Sequence, residues 1–229
     1  MRVVLVSSPG ASSELHWSHG AAAELARLLL LGGANVLWLP ATYAGQSLPS
    51  IPPGIHVRPA QLERPAPLWR VNKCRTDAAL EVLLTRSLRE RPAHAVVHLG
   101  VGARGSPNVL WLADCLGSAP IAVVRAAEVV CQRGDLVHAS GVACTQFDDP
   151  DRCQRCCRAS VWSQPHRVEL LNRADLLAAG LLAAEAVFVA SPAEAEVLVK
   201  SGVPQRVITV DGSPQAAAAR VLSAGVEAI

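Results

Sequence analysis

The stretch HAVVHLGVGARGSPNVLWLADCLGSAPIAVVRA, residues 94–126, decides the fold. It contains an apolar run, a glycine-rich loop, a segment with apolar residues at helical spacing, and a second apolar run. Near-continuous apolar strands on both sides of a helix are typical of a parallel sheet that is covered on both faces. We therefore predict strands at 94–99 and 120–126, joined by a helix at 107–117.

The same alternation of strands and helices continues in both directions. We expect further strands at 2–6, 35–39, 186–190 and 206–210, with a short one at 55–59, and further helices at 21–33, 73–92, 166–185, 191–202 and 213–225. The helix at 166–185 contains Gly180, where we allow for a break. Six or seven strands alternating with helices predict a single doubly wound, mainly parallel, Rossmann-like α/β sheet over residues 1–229.

Composition argues against several classes of function. The chain has 229 residues, 51% of them hydrophobic, and its formal net charge is +2, which gives no electrostatic reason to bind nucleic acid. Its longest apolar run, residues 176–190, contains Glu185 and is shorter than the roughly 20 residues that a membrane span needs. The N-terminal apolar run is too short for a signal peptide. We expect a cytoplasmic protein without a transmembrane segment, in which thiols stay reduced.

Five of the seven cysteines lie within residues 131–157. Four of them, Cys131, Cys144, Cys153 and Cys156, have the spacing C-x12-C-x8-C-x2-C, in which we expect the close pair to lie on a tight turn and the other two to complete a tetrahedral metal site. Residues 131–160 are rich in glycine, aspartate and proline, which favours an irregular insertion without a core of its own. A structural zinc ion would cross-link such an insertion.

Other interpretations of the cysteines remain open at this point. An iron–sulfur cluster is one alternative to zinc, and reduced cysteines without metal, or a disulfide, are another. Cys157 could replace Cys156 as a ligand, and His138 is a weaker alternate. Cys74 and Cys115 fall in predicted helices, where we expect buried thiols.

Ligands bind to sheets of this type at the carboxyl ends of the strands. An arginine there can bind a phosphate or a carboxylate, or form a structural ion pair, and a loop histidine is more often structural than ligand-binding. The exposed backbone amides at 101–107 could also bind an anion. His98 falls in a strand, where a core position is expected, and Trp69 and Trp162 fall in loops that could contact a protein partner. The candidate ligand-binding residues are His16, His19, Arg104, Arg125 and Ser191.

The run PIAVVRAAEVVCQRGDLVHASGVACTQFDDPDRCQRCC, residues 120–157, resembles a segment of some family 4 glycosyltransferases with the two-domain GT-B fold. The resemblance extends over almost the whole chain, through three further stretches: ELARLLLLGGANVLWL, residues 91–124, and ADLLAAGLLAAEAVFVASPAEAEVLVKSGVPQRVITVDG. It covers the N-terminal, acceptor-side half of such an enzyme, and it implies a sugar or sugar nucleotide as the ligand.

Three departures from the family pattern concern its functional motifs. The family's Gly-Gly pair in the first loop falls on His16-Trp17, where the side chains would fill the space that glycines leave open. Its His-Asp pair falls on Arg125-Ala126; that histidine contacts the sugar or the reacting centre in the family, and arginine cannot act as a neutral base. The chain ends 17 residues after Gly212, so we expect the donor-binding half to be missing.

Together these features predict a degenerate glycosyltransferase-like domain that serves as a non-catalytic binding or assembly subunit with one or more protein partners. No residue is assigned a catalytic role. The alternative is the acceptor-side subunit of a split glycosyltransferase whose donor-binding half is on another chain. A dehydrogenase or other nucleotide enzyme is less favoured, because no GxGxxG follows the strand at 2–6.

Overall fold

The computed structural model describes residues 1–7, 19–43, 48, 51–62, 77–101, 106–131, 134–159 and 167–224. In these ranges strands and helices alternate, as the sequence predicts. The strands are β1 (Arg2–Ser7), β2 (Asn35–Tyr43), β3 (His56–Val57), β4 (Ala60–Leu62), β5 (Ala95–Leu99), β6 (Ala119–Val123), β7 (Ala186–Val189) and β8 (Ile208–Val210). The α-helices are α1 (His19–Leu31), α2 (Ala78–Glu90), α3 (Asn108–Cys115), α4 (Ala126–Val130), α5 (Pro150–Ala159), α6 (Arg167–Leu182), α7 (Pro192–Lys200) and α8 (Pro214–Ala224), and a 3-10 turn, Gln205–Val207, precedes β8.

The strands form one sheet in the order β3-β2-β1-β5-β6-β7-β8, with β4 also paired to β2. All of these pairings are parallel; Val3 of β1, for example, lies between Val36 of β2 and Ala95 of β5. The strand order reverses between β1 and β5, which makes their carboxyl ends the switch point where such folds bind ligands. The doubly wound α/β sheet predicted from the sequence is confirmed.

Alternate residues of the central strand belong to different cores, one on each face of the sheet. Val3 and Leu5 pack with α1 and α8, and Val4 and Val6 pack with α2 and α3. On the first face α8 lies directly on the end of α1: a Cβ atom at Gly32 would be 2.4 Å from Leu222 Cδ1. The first helix is therefore covered by the last described one.

Helix α6 runs through Gly180 without the break that we allowed for. A Cβ atom at this position would lie 2.6 Å from the carbonyl oxygen of Pro107, just before α3. The glycine therefore serves a close approach between α6 and the start of α3 rather than a kink. None of the described helices is long and apolar enough to cross a lipid bilayer.

The expectation that Cys115 is a buried thiol is wrong. Cys115 is the last residue of α3 and its side chain is exposed, because the helix buries its other face, with Val109, Leu110 and Ala113, in the core. Cys74 falls in 63–76, outside the described residues, as do Trp69 and, in 160–166, Trp162. His98 is fully buried in β5, as predicted for a core position.

Candidate functional site

The carboxyl ends of β1 and β5 lie at the switch point, where hydrogen bonds join each end to neighbouring strands. The Ser7 hydroxyl accepts a hydrogen bond of 2.9 Å from the indole Nε1 of Trp38, and Gly100 donates its N–H to the carbonyl of Val123 at 3.0 Å. Two predicted ligand-binding residues, His16 and Arg104, fall in 8–18 and 102–105, outside the described residues. His19 begins α1, and its side chain is likewise not described.

Arg125 lies at the carboxyl end of β6, as predicted, and is the N-cap residue of α4. Its Nη1 is 4.0 Å from Glu128 Oε1 in the first turn of that helix, and the two side chains are 36% and 23% exposed. An ion pair this long and this accessible to solvent is weak. The guanidinium can therefore still bind an anionic ligand at the strand end, with Glu128 as a competing anion.

Ser191 lies at the carboxyl end of β7, where its hydroxyl caps α7. Ser191 Oγ accepts a hydrogen bond from Glu194 N at 3.3 Å, and Glu194 Oε2 accepts one from Ala190 N at 2.9 Å. The first bond is an N-cap bond, and the second satisfies the N–H of the residue before the N-cap, so both stabilise the start of the helix. Ser191 thus has a structural role at the start of α7.

The cysteine segment comprises residues 131–159, which follow α4 and end with the last residue of α5. Gly134 N donates to the Cys131 carbonyl at 3.0 Å. A short antiparallel bridge between Val137 and Ala143 folds the chain back on itself, and Cys144 N donates to the Leu136 carbonyl at 2.7 Å. Cys131 and Cys144 line the same cavity.

Helix α5 occupies the end of this segment, where we expected an irregular loop and a tight turn for the close cysteine pair; that expectation is wrong. Asp149 Oδ1 accepts hydrogen bonds from Arg152 N at 3.1 Å and Asp151 N at 2.9 Å, and Pro150 is the first helical residue. The hydrogen bond from Arg152 is the main reason that the pKa of the Asp149 carboxyl is lowered. An aspartate before a proline is a favourable helix start.

The four predicted metal ligands, Cys131, Cys144, Cys153 and Cys156, line one cavity of about 20 Å³, together with Cys157 and His138. In the structure each of these cysteines is in the reduced, thiol form. Burial, reinforced by the neighbouring cysteines, raises the pKa of the Cys153 thiol to about 12. Within the described ranges, no three histidine, cysteine, aspartate or glutamate side chains are already arranged as a coordination shell for a metal ion.

A second, larger cavity of about 230 Å³ adjoins the cysteine cavity, and sequence reasoning missed it. Val129 of α4 and Leu177 and Leu181 of α6 contribute apolar side chains, while Asp148 and Lys200 add polar groups. Phe147 and Cys153 line both cavities. The cysteine segment therefore shapes one wall of an apolar pocket, which no local motif in the sequence could have indicated because its lining comes from four separate parts of the chain.

Comparison with known proteins gives matches at the level of fold. No protein-family model and no curated protein sequence matches this chain. UGT2 from Phytolacca americana, in its apo form, matches with a TM-score of 0.52 at 14% identity, over 91% of this chain and 51% of that one. UDP-GlcNAc 2-epimerase from Methanocaldococcus jannaschii (TM-score 0.48, 11% identity, 97% and 48% covered) and Os79 T291V from O. sativa in complex with UDP (0.45, 18%, 91% and 51%) also match.

The chain spans about half the length of these structures. The match to UGT2 is extensive enough to compare folds, and at 14% identity it describes the fold alone. The chain therefore has the fold of one half of a GT-B enzyme: one parallel Rossmann-like sheet with helices on both faces.

Proposed function

We propose that this chain is a degenerate glycosyltransferase-like domain, related to the acceptor-side half of family 4 enzymes, that acts as a non-catalytic binding or assembly subunit of a larger complex. The observation that carries the proposal is Arg125. It occupies the place after β6 where the resemblance expects a histidine that contacts the reacting centre.

The chemistry of Arg125 is that of a binding group. A guanidinium stays protonated in proteins and has no acceptor atom, so it cannot take a proton from an attacking hydroxyl. Its ion pair with Glu128, at 4.0 Å, is weak and leaves the guanidinium able to bind another anion. Such a group can bind a phosphate or a carboxylate at the strand end without promoting transfer.

A second candidate function is the acceptor-side subunit of a split glycosyltransferase. The extent of the fold match favours it, because 91% of this chain corresponds to about half of UGT2. In this case a separate chain would supply the donor site, and a sugar nucleotide would bind between the two. The nucleotide is suggested by the resemblance to family 4 glycosyltransferases.

Mass measurement of the native assembly, with identification of its components, tests both functions when it is combined with a turnover assay on UDP-sugars. We expect a stable complex with other protein subunits, and neither hydrolysis nor transfer by the complex or by the pure chain. Turnover by a complex that contains a second Rossmann-type chain would support the split enzyme instead. Turnover by the pure chain alone would contradict both.

A further inference from the structure

The cysteine segment lacks the apolar burial that stabilises the rest of the fold. Every residue from 134 to 149 is at least partly exposed, and none belongs to the cores on the faces of the sheet. Its order rests on hydrogen bonds such as that between Cys144 N and the Leu136 carbonyl, and Leu136 takes a positive φ of 54°. Ordering an exposed stretch of this length costs conformational entropy, which a cross-link would offset.

The cysteines are placed where such a cross-link would form. Cys131 comes from the end of α4, Cys144 from the residue after the Val137–Ala143 bridge, and Cys153 and Cys156 from one face of α5. Residues three apart on a helix are neighbours, so α5 presents both thiols to the same cavity. The cavity thus lies between three separate parts of the chain, each of which contributes at least one cysteine.

Hydrogen bonds distinguish Cys156 from the neighbouring alternates. Ala139 donates its backbone N–H to Cys156 Sγ at 3.2 Å, which fixes this sulfur atom against the turn between Val137 and Ala143. Cys157 is 2% exposed and packs as a core side chain. The Nδ1 atom of His138 is 2.9 Å from Ser140 Oγ and accepts from Ser140 N at 3.2 Å, so one of its two possible ligand atoms is engaged locally.

The size and charge of the surroundings suit a single divalent ion. A cavity of about 20 Å³ has room for one water-sized particle but not for a multinuclear iron–sulfur cluster. Four thiolates around a divalent cation would leave a net negative charge. Helix α5 carries Arg152, Arg155 and Arg158, whose positive charges would offset it.

We propose that Cys131, Cys144, Cys153 and Cys156 bind one structural zinc ion as four thiolates, and that this ion orders the cysteine segment. Binding transfers one proton from each thiol to solvent and forms four Zn–S bonds of about 2.3 Å. Because the side chains do not already form a coordination shell, the sulfur atoms must converge on the ion. The proposal is independent of whether the domain is a binding subunit or half of an enzyme.

Metal analysis of the full chain, purified under reducing conditions and supplied with zinc, tests the site directly. We expect about one zinc per chain, and intense visible absorption from tetrahedral thiolate coordination when cobalt replaces zinc. Cys153→Ser and Cys156→Ser should each reduce tight metal binding at least about tenfold. Cys115→Ser, at an exposed thiol outside the segment, and Cys157→Ala should retain the metal.

A measurement on the unmodified chain guards against variants that fail to fold. Removing zinc with a chelator should accelerate amide hydrogen exchange in 134–159 and leave exchange in β1, β5 and β6 unchanged. A chain that binds no zinc, serine variants that bind as much zinc as the unmodified chain, or exchange that does not respond to the chelator would overturn the proposal. Iron with acid-labile sulfide, or a disulfide between two of the four cysteines in the native protein, would overturn it as well.

Discussion

At the scale of single residues, His98 shows how completely the sheet excludes water. It lies in β5, where it pairs with Val6 of β1 on one side and Ala122 of β6 on the other, and it is 0% exposed. Burial lowers the pKa of its imidazole from 6.5 to about 3, because a charged ring cannot be solvated there. The side chain is therefore a neutral core group, and it is not available to a ligand at the carboxyl ends of the strands.

His98 should make the fold sensitive to acid. In the unfolded chain the imidazole takes up a proton near its ordinary pKa of about 6.5, whereas the folded chain does not until about pH 3. Above pH 6.5 this residue does not lower the free energy of unfolding. Between pH 6.5 and pH 3 the free energy of unfolding falls with the pH, by at most about 1.4 kcal/mol per pH unit from this residue. Chemical denaturation at a series of pH values would measure the slope.

The matched variant is His98→Gln, which keeps a polar side chain but cannot titrate. It should lose stability at pH 8, where the histidine is neutral in both states, yet its stability should fall less steeply between pH 6 and pH 4. Parallel curves for the two proteins over that interval would show that His98 does not cause the acid sensitivity.

Gly180 should tolerate no side chain, although it lies inside a helix. Alanine is the better helix former by about 1 kcal/mol, but its Cβ would lie 2.6 Å from the Pro107 carbonyl oxygen. Moving α6 away from this backbone should cost more, so Gly180→Ala should destabilise the domain by about 1–3 kcal/mol. Urea denaturation measures the difference, with Ala179→Gly on the exposed side of α6 as the control for helix propensity. A Gly180→Ala variant more stable than the parent would refute the close approach.

At the scale of elements, α7 depends on the N-cap residue Ser191 at its start. Ser191→Ala removes the hydroxyl that accepts from Glu194 N, and should destabilise the domain by about 1 kcal/mol. Ser191→Thr keeps an acceptor oxygen and should lose much less. Thermal unfolding of the three proteins checks this expectation; equal losses for alanine and threonine would mean that the hydroxyl does not act as a cap.

Helix α5 shows both the reach and the limit of sequence analysis. Cys131, Cys144, Cys153 and Cys156, which their spacing groups as ligands of one site, line one cavity of the structure, and their binding of a metal stays a prediction. The close pair was placed on a turn because the surrounding residues are polar and rich in glycine and proline. The Asp149-Pro150 start signal was present in the sequence, but no apolar stripe followed it, since one side of this helix packs on thiols.

At the scale of the whole molecule, the sheet was predictable because each buried parallel strand is a nearly continuous apolar run. The boundaries of some other elements were less predictable. Strand β2 continues through Pro40 to Tyr43, and α4 begins at Ala126, which we had assigned to a strand. Pro40 indicated an earlier end for β2, which in fact continues because residues 41–43 pair with β4. At α4 the residues on both sides of the boundary are mostly apolar, so the sequence does not mark where the helix begins. The pocket beside α6 likewise depends on tertiary packing alone.

The contact between α1 and α8 has a consequence for synthesis on the ribosome. Gly32 meets Leu222, and Leu25 and Leu29 share a core with Ala217 and Val221. At a translation rate of about 5–20 residues per second, the first helix would emerge about 10–40 s before the helix that covers it. During that interval the nascent chain displays an uncovered leucine-rich face, which makes it a natural client for chaperones that bind at the exit tunnel.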